Sequence, residues 1–128
     1  MKISSFLCCV VVLGSAPAGA SSYCFEQAVA TYSVNVDLLR AVAQVESGLN
    51  RNARHVNMDG SEDLGVMQIN SRWLRTLAKY RLTREHLLDA CTNIHIGAWI
   101  LANKASKMGW TWYSVGAYNA RDPAKRAR

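Results

Sequence analysis

Histidine and cysteine are sparse in this chain, and neither is placed to hold a metal. Its 128 residues contain 3 His, the scattered His55, His86 and His95, and 4 Cys without a Cys-x-x-Cys pair. That excludes the common zinc and dithiol-redox patterns, and nothing in the sequence calls for a metal or an organic cofactor. Long apolar runs are missing as well. Phe6 to Leu13 is short of the roughly 18 residues a permanent span needs, so no stable membrane anchor is expected. Internal repeats, linkers and low-complexity segments are absent, which points to one undivided domain. There is no nucleic-acid-binding motif and no stripe of Arg and aromatics along a helix, so no nucleic-acid partner is expected despite a net charge of +6.

What is present begins with an export signal. Lys2 opens a short basic region, Phe6 to Leu13 form the apolar run, and Ala18-Gly19-Ala20 is a small-residue cleavage site. Residues 1–20 are therefore read as a signal peptide cleaved near Ala20, and residues 21–128 as a single exported domain of the periplasm or cell envelope. That domain keeps two cysteines, Cys24 and Cys91, and in an oxidising compartment an even pair is most simply a disulfide. It would join the first helix to the fourth. The basic balance favours an anionic partner, for which the polymers of a cell envelope are the natural candidates.

The pattern along the chain is mainly helical. Cys24 to Tyr32 reads as a first helix, with Phe25, Val29 and Tyr32 on one side. Asn35 can cap a second, which runs to Ser47. On that helix Leu38, Leu39, Val42, Ala43 and Val45 share an apolar arc, and Glu46 lies inside it, between Val42 and Leu39. Burial against such a wall would push a carboxyl upward and let it keep a proton near neutral pH, which is what a general acid requires. Residues 50–60 are polar with an Asp59-Gly60 turn, and Leu64 to Ile69 is a brief apolar stretch, so a small hairpin or irregular lobe is expected here. A third helix follows, capped by Asn70 or Ser71 and running to Tyr80, with Trp73, Leu74 and Leu77 inward. Then come a short helical turn from Thr83 and a long apolar helix from Thr92 to Met108, stopped by Gly109. Thr111 opens a last helix to about Ala117.

Four segments stand in order along this frame: Glu46-Ser47-Gly48, then Gly65-Val66-Met67-Gln68-Ile69-Asn70, then Asn93-Ile94 with Gly97, then Ala117-Tyr118-Asn119-Ala120. Together they resemble the lytic transglycosylases of the soluble-lytic type, in particular the small exported members associated with secretion and conjugation machines. Arg121 departs from the pattern, since the family usually has Gly there. The resemblance implies a lysozyme-like, mainly α fold with a small β-hairpin or irregular lobe, and a groove that binds the glycan strands of peptidoglycan. It implies that Glu46 is the sole catalytic acid and base, with Ser47 orienting the reacting sugar. Met67 and Gln68 would line the groove beside the cleaved bond, and Tyr118 and Asn119 would support Glu46 and contact substrate. Components of an envelope-spanning secretion or conjugation machine are the implied protein partners. The Asn93, Ile94 and Gly97 set reads as a helix start and a close helix contact, outside the chemistry.

Asp63 supports a different reading. The run from Asp59 through Asp63 to Trp73 also looks like the stretch of animal-type lysozymes that carries their second carboxylate. With Asp63 facing Glu46, a retaining muramidase would be possible. The plainer reading of Asp63 is a turn carboxylate bonded to backbone amides. A third alternative is a peptidoglycan-binding assembly module that does not cut.

Overall fold

The chain is represented by a computed structural model that describes residues 24–118. The signal-peptide segment 1–20, Asn119 and Arg121 lie outside the described residues. The elements are α1 (Phe25–Tyr32), α2 (Val36–Ser47), β1 (Arg54–Val56), β2 (Glu62–Leu64), β3 (Ile69–Asn70), α3 (Leu74–Leu77), α4 (Arg84–Leu88), α5 (Ala90–Met108) and α6 (Trp112–Gly116). This is the lysozyme-like, mainly helical architecture with a small β lobe.

Side-chain caps fix where the helices begin. Asn35 accepts from the Leu38 backbone N–H at 2.9 Å and starts α2. Thr111 accepts from the Ser114 N–H and starts α6. Asp89 accepts from the Thr92 N–H at 2.8 Å, so α5 begins at Ala90 and not at Thr92. One consequence is a correction to the disulfide topology. Cys24 and Cys91 are bonded, with Cα atoms 5.1 Å apart, but Cys91 lies in the first turn of α5, the fifth helix.

The continuous helix expected from residue 70 or 71 to Tyr80 is also corrected. A 3₁₀ turn (Ser71–Trp73), the single α-turn of α3 and a second 3₁₀ turn (Ala78–Tyr80) replace it, and Arg81 ends the run at φ 58°. Of the three inward residues only Leu77 is fully buried, which gives a short helix little apolar burial to hold its geometry.

The polar lobe is a three-stranded antiparallel sheet in the order β1-β2-β3, with Arg54 opposite Leu64, His55 opposite Asp63, and Asp63 also opposite Asn70. Its first turn closes at Asp59-Gly60, where Gly60 takes φ 78° and donates to Asn57 O at 2.9 Å.

Behind the lobe α5 contributes more of the core than any other element. Asn93, Ile94, Ile96, Gly97, Ala98, Ile100, Leu101 and Ala105 are all buried, and α1, α4 and α6 pack around them. Leu39, Val42 and Ala43 of α2 join the same core. Val45, at the edge of the predicted apolar arc, is 85% exposed, so the buried face of α2 is narrower than its sequence suggested.

Candidate active site

Glu46 occupies the last turn of α2, half-buried beside the apolar face of Leu39, Val42 and Ala43. The helix stops immediately after it. Gly48 at φ 62° sends its N–H back to Ala43 O and Gln44 O, and Leu49 repeats the left-handed conformation at φ 62°. Ser47 crosses from this helix end to the sheet lobe: its hydroxyl donates to Val66 O at 2.7 Å and accepts from the Asn50 N–H at 3.1 Å.

The partner surface is the turn 65–68 between β2 and β3. Gly65 has φ 75°, and a Cβ there would lie 2.5 Å from Asn93 Nδ2 and 2.9 Å from Leu87 O, so both backbone conformation and space demand glycine. Asn93 is fully buried and holds the turn in place. Its Oδ1 accepts from the Met67 N–H at 2.8 Å, and its Nδ2 donates to Leu64 O at 2.9 Å and Leu87 O at 2.8 Å. One turn further along α5, Gly97 makes room for Met67: an added Cβ would sit 2.7 Å from Met67 Cγ. Met67 is consequently fully buried, and its side chain packs into the core instead of lining a groove. Gln68, at φ 48°, is partly exposed and folds its side-chain amide back to Gly65 O at 3.0 Å.

Tyr118 approaches from the end of α6. Its hydroxyl donates to Met67 O at 3.1 Å. Burial first, and the neighbouring Glu46 carboxylate second, push the phenol well above its ordinary range. The hydroxyl therefore remains a neutral donor near Glu46 across all physiological pH. The structure thus brings together Glu46 and Ser47 from α2, the 65–68 turn, and Tyr118 from beyond α6. Asn119, predicted beside Tyr118, lies outside the described residues.

Asp63 stands in the middle strand and not in a turn, and its partners are side-chain amides. Asn70 Nδ2 donates to one oxygen at 2.7 Å and Asn57 Nδ2 to the other at 3.0 Å. Both amides also reach Ser61 Oγ at 3.1 Å, and Ser61 in turn donates to Asp59 at 2.6 Å. Among the described residues no group of His, Cys, Asp and Glu is arranged to hold a metal ion.

Comparison with known families decides the affiliation: the transglycosylase SLT domain matches residues 23–127. The chain belongs to the transglycosylase SLT family. This is a family of lytic transglycosylases. Among relatives of this SLT protein, the invasion protein IagB of Salmonella typhimurium is 41% identical over 105 residues, which cover 81% of this chain and 66% of IagB. The X polypeptide of Escherichia coli is 43% identical over 98 residues, 76% of this chain and 58% of that protein. Protein IpgF of Shigella flexneri is 35% identical over 123 residues, 95% of this chain and 77% of IpgF. The match thus spans just under two thirds of IagB and less of the X polypeptide.

In this SLT-family chain, sequence reasoning missed how Asn93 and the Asn57, Ser61 and Asn70 group organise the site. Asn93 did carry a signal: an amide in the apolar face of the longest helix, one turn before Gly97, must find buried partners. The convergence of Asn57 and Asn70 on Asp63 had none, because it depends on strand register across three very short strands.

Proposed function

We propose that this protein is a peptidoglycan lytic transglycosylase that cleaves the β-1,4 bond between N-acetylmuramic acid and N-acetylglucosamine without water. Glu46 donates its proton to the glycosidic oxygen as the C–O bond breaks, and the substrate's acetamido group stabilises the cationic anomeric carbon. The Glu46 carboxylate then takes the proton of the muramic 6-hydroxyl, whose oxygen attacks that carbon and closes a 1,6-anhydro ring. Glu46 is reprotonated and no protein nucleophile is used. Ser47, Gln68 and Asn119 contact the sugar in this reading, and Met67 contributes through its backbone. The observation that carries the proposal is the convergence of the half-buried Glu46 with the Tyr118 hydroxyl, itself fixed on Met67 O. Export by residues 1–20 would deliver the enzyme to the periplasm, where it would open the wall locally for a secretion, conjugation or pilus apparatus.

A carboxylate held in a polar, hydrogen-bonded setting favours a second reading, a retaining muramidase, and two amide donors give Asp63 that setting. Paired substitutions separate the readings. Glu46→Gln is expected to abolish release of soluble muropeptides from purified peptidoglycan with the unfolding midpoint unchanged; continued turnover would place the acid elsewhere. Asp63→Asn is expected to leave most turnover intact, whereas a loss matching that of Glu46→Gln would favour the muramidase. Strand binding without release by the unaltered protein would point to the assembly module.

A further inference from the structure

A cavity of about 380 Å³ opens between the end of α1, the segment 77–82 and α5. Tyr32, Tyr80 and Trp99 give it aromatic walls, and Leu77, Leu82 and Ile96 give it an aliphatic floor. None of these side chains belongs to the group around Glu46. The left-handed residue Arg81 shapes the cavity, because the turn it makes lets Tyr80 and Leu82, on either side of it, both face the same space. Trp99 also meets Trp73 edge-on, with ring centroids 5.6 Å apart. Trp73 ends the 3₁₀ turn that follows β3, and β3 begins directly after Gln68. Trp99 thus joins this second pocket to Trp73, which follows Gln68 by five residues in the chain.

The lining has a definite chemical preference. Aromatic rings stack on the C–H faces of a pyranose, aliphatic side chains accommodate an acetamido methyl, and tyrosine hydroxyls reach sugar hydroxyls. The cationic residues Lys79 and Arg81, both exposed, flank Tyr80 and complement the carboxylates that peptide stems bring to such a strand. We infer that this cavity is a distal saccharide subsite that takes an N-acetylated hexosamine ring of the strand cut at Glu46. The inference rests on the peptidoglycan reading above. Loss of a contact remote from the cleaved bond therefore lowers kcat/KM for long strands by the factor it loses in binding.

Tyr80 is the safest handle, since it is 64% exposed and its loss threatens the fold least. Calorimetric titration with the tetramer of β-1,4-N-acetylglucosamine is expected to show Tyr80→Ala binding about five- to tenfold more weakly than the unaltered protein, and Tyr80→Phe recovering most of that loss. On peptidoglycan Tyr80→Ala should lower kcat/KM by a similar factor. The Trp99 indole N–H resonance should move on adding tetramer, in Glu46→Gln as in the unaltered protein. Unchanged tetramer affinity in Tyr80→Ala, or a Trp99 resonance that responds to an apolar peptide but not to the tetramer, overturns the subsite. Turnover surviving in Glu46→Gln overturns the catalytic reading instead, and the two failures are told apart because the titration needs no cleavage.

Discussion

Asn93 accepts from the Met67 N–H and donates to two carbonyls, so alanine in its place would remove three buried hydrogen bonds. Each such loss costs about 1–3 kcal/mol. Asn93→Ala should therefore lower stability by about 3 kcal/mol or more in urea unfolding, and a loss below about 1 kcal/mol would mean that the turn 65–68 is held by other contacts. The same residue shows where sequence reading stops. Glu46 was legible from one helix alone, as a charge placed among Leu39, Val42 and Ala43, and the disulfide was legible from counting. Asn93 was visible only as a helix start, because two of its three partners lie 26 and 29 residues earlier in the chain, across a turn whose shape periodicity does not encode. Met67 misled for the opposite reason: its place in a motif suggested a groove wall, while Gly97 opens a core position that its side chain fills.

Among the elements, the helices announced themselves through caps and apolar stripes, and the errors fell where packing outweighed local pattern. Asp89 moved the start of α5, and the helix expected to run to Tyr80 broke into 3₁₀ and α turns. Strands of two or three residues carry too little alternation to fix a register. Charge does part of that work. Glu62 on β2 is gripped by Arg84 of α4, whose Nε donates at 2.8 Å, and by Arg54 of β1, whose Nε donates at 2.6 Å. These hydrogen bonds, with that of Arg84 dominant, lower the Glu62 carboxyl to about 2. Because the folded pKa lies below the unfolded one, the stabilisation is complete above the ordinary glutamate range and is lost as pH falls towards about 2. Chemical denaturation between pH 5 and pH 2, as approximate limits, should show a steeper loss of stability in the unaltered protein than in Glu62→Gln. Identical slopes would remove Glu62 as the acid-sensitive link between sheet and helices.

At the scale of the molecule, the disulfide closes a loop of 67 residues that contains α1, α2, the whole sheet lobe, α3 and α4. In the chain-entropy picture such a closure stabilises the fold by about 4 kcal/mol. Cys91→Ser should therefore reduce stability by about 2–5 kcal/mol, measured against the oxidised protein, and an unchanged unfolding midpoint would show that the bridge is dispensable. The loop also contains Glu46, Ser47 and the turn 65–68, so the bond constrains the segment that forms most of the site, while Tyr118 enters from outside it. The central claim, that the sugar's own 6-hydroxyl and not water completes the reaction, is tested most directly by mass spectrometry of the muropeptides released from purified peptidoglycan. The account predicts 1,6-anhydro-N-acetylmuramic ends, lighter than their hydrolysed counterparts by one water; released fragments with reducing muramic ends would contradict it.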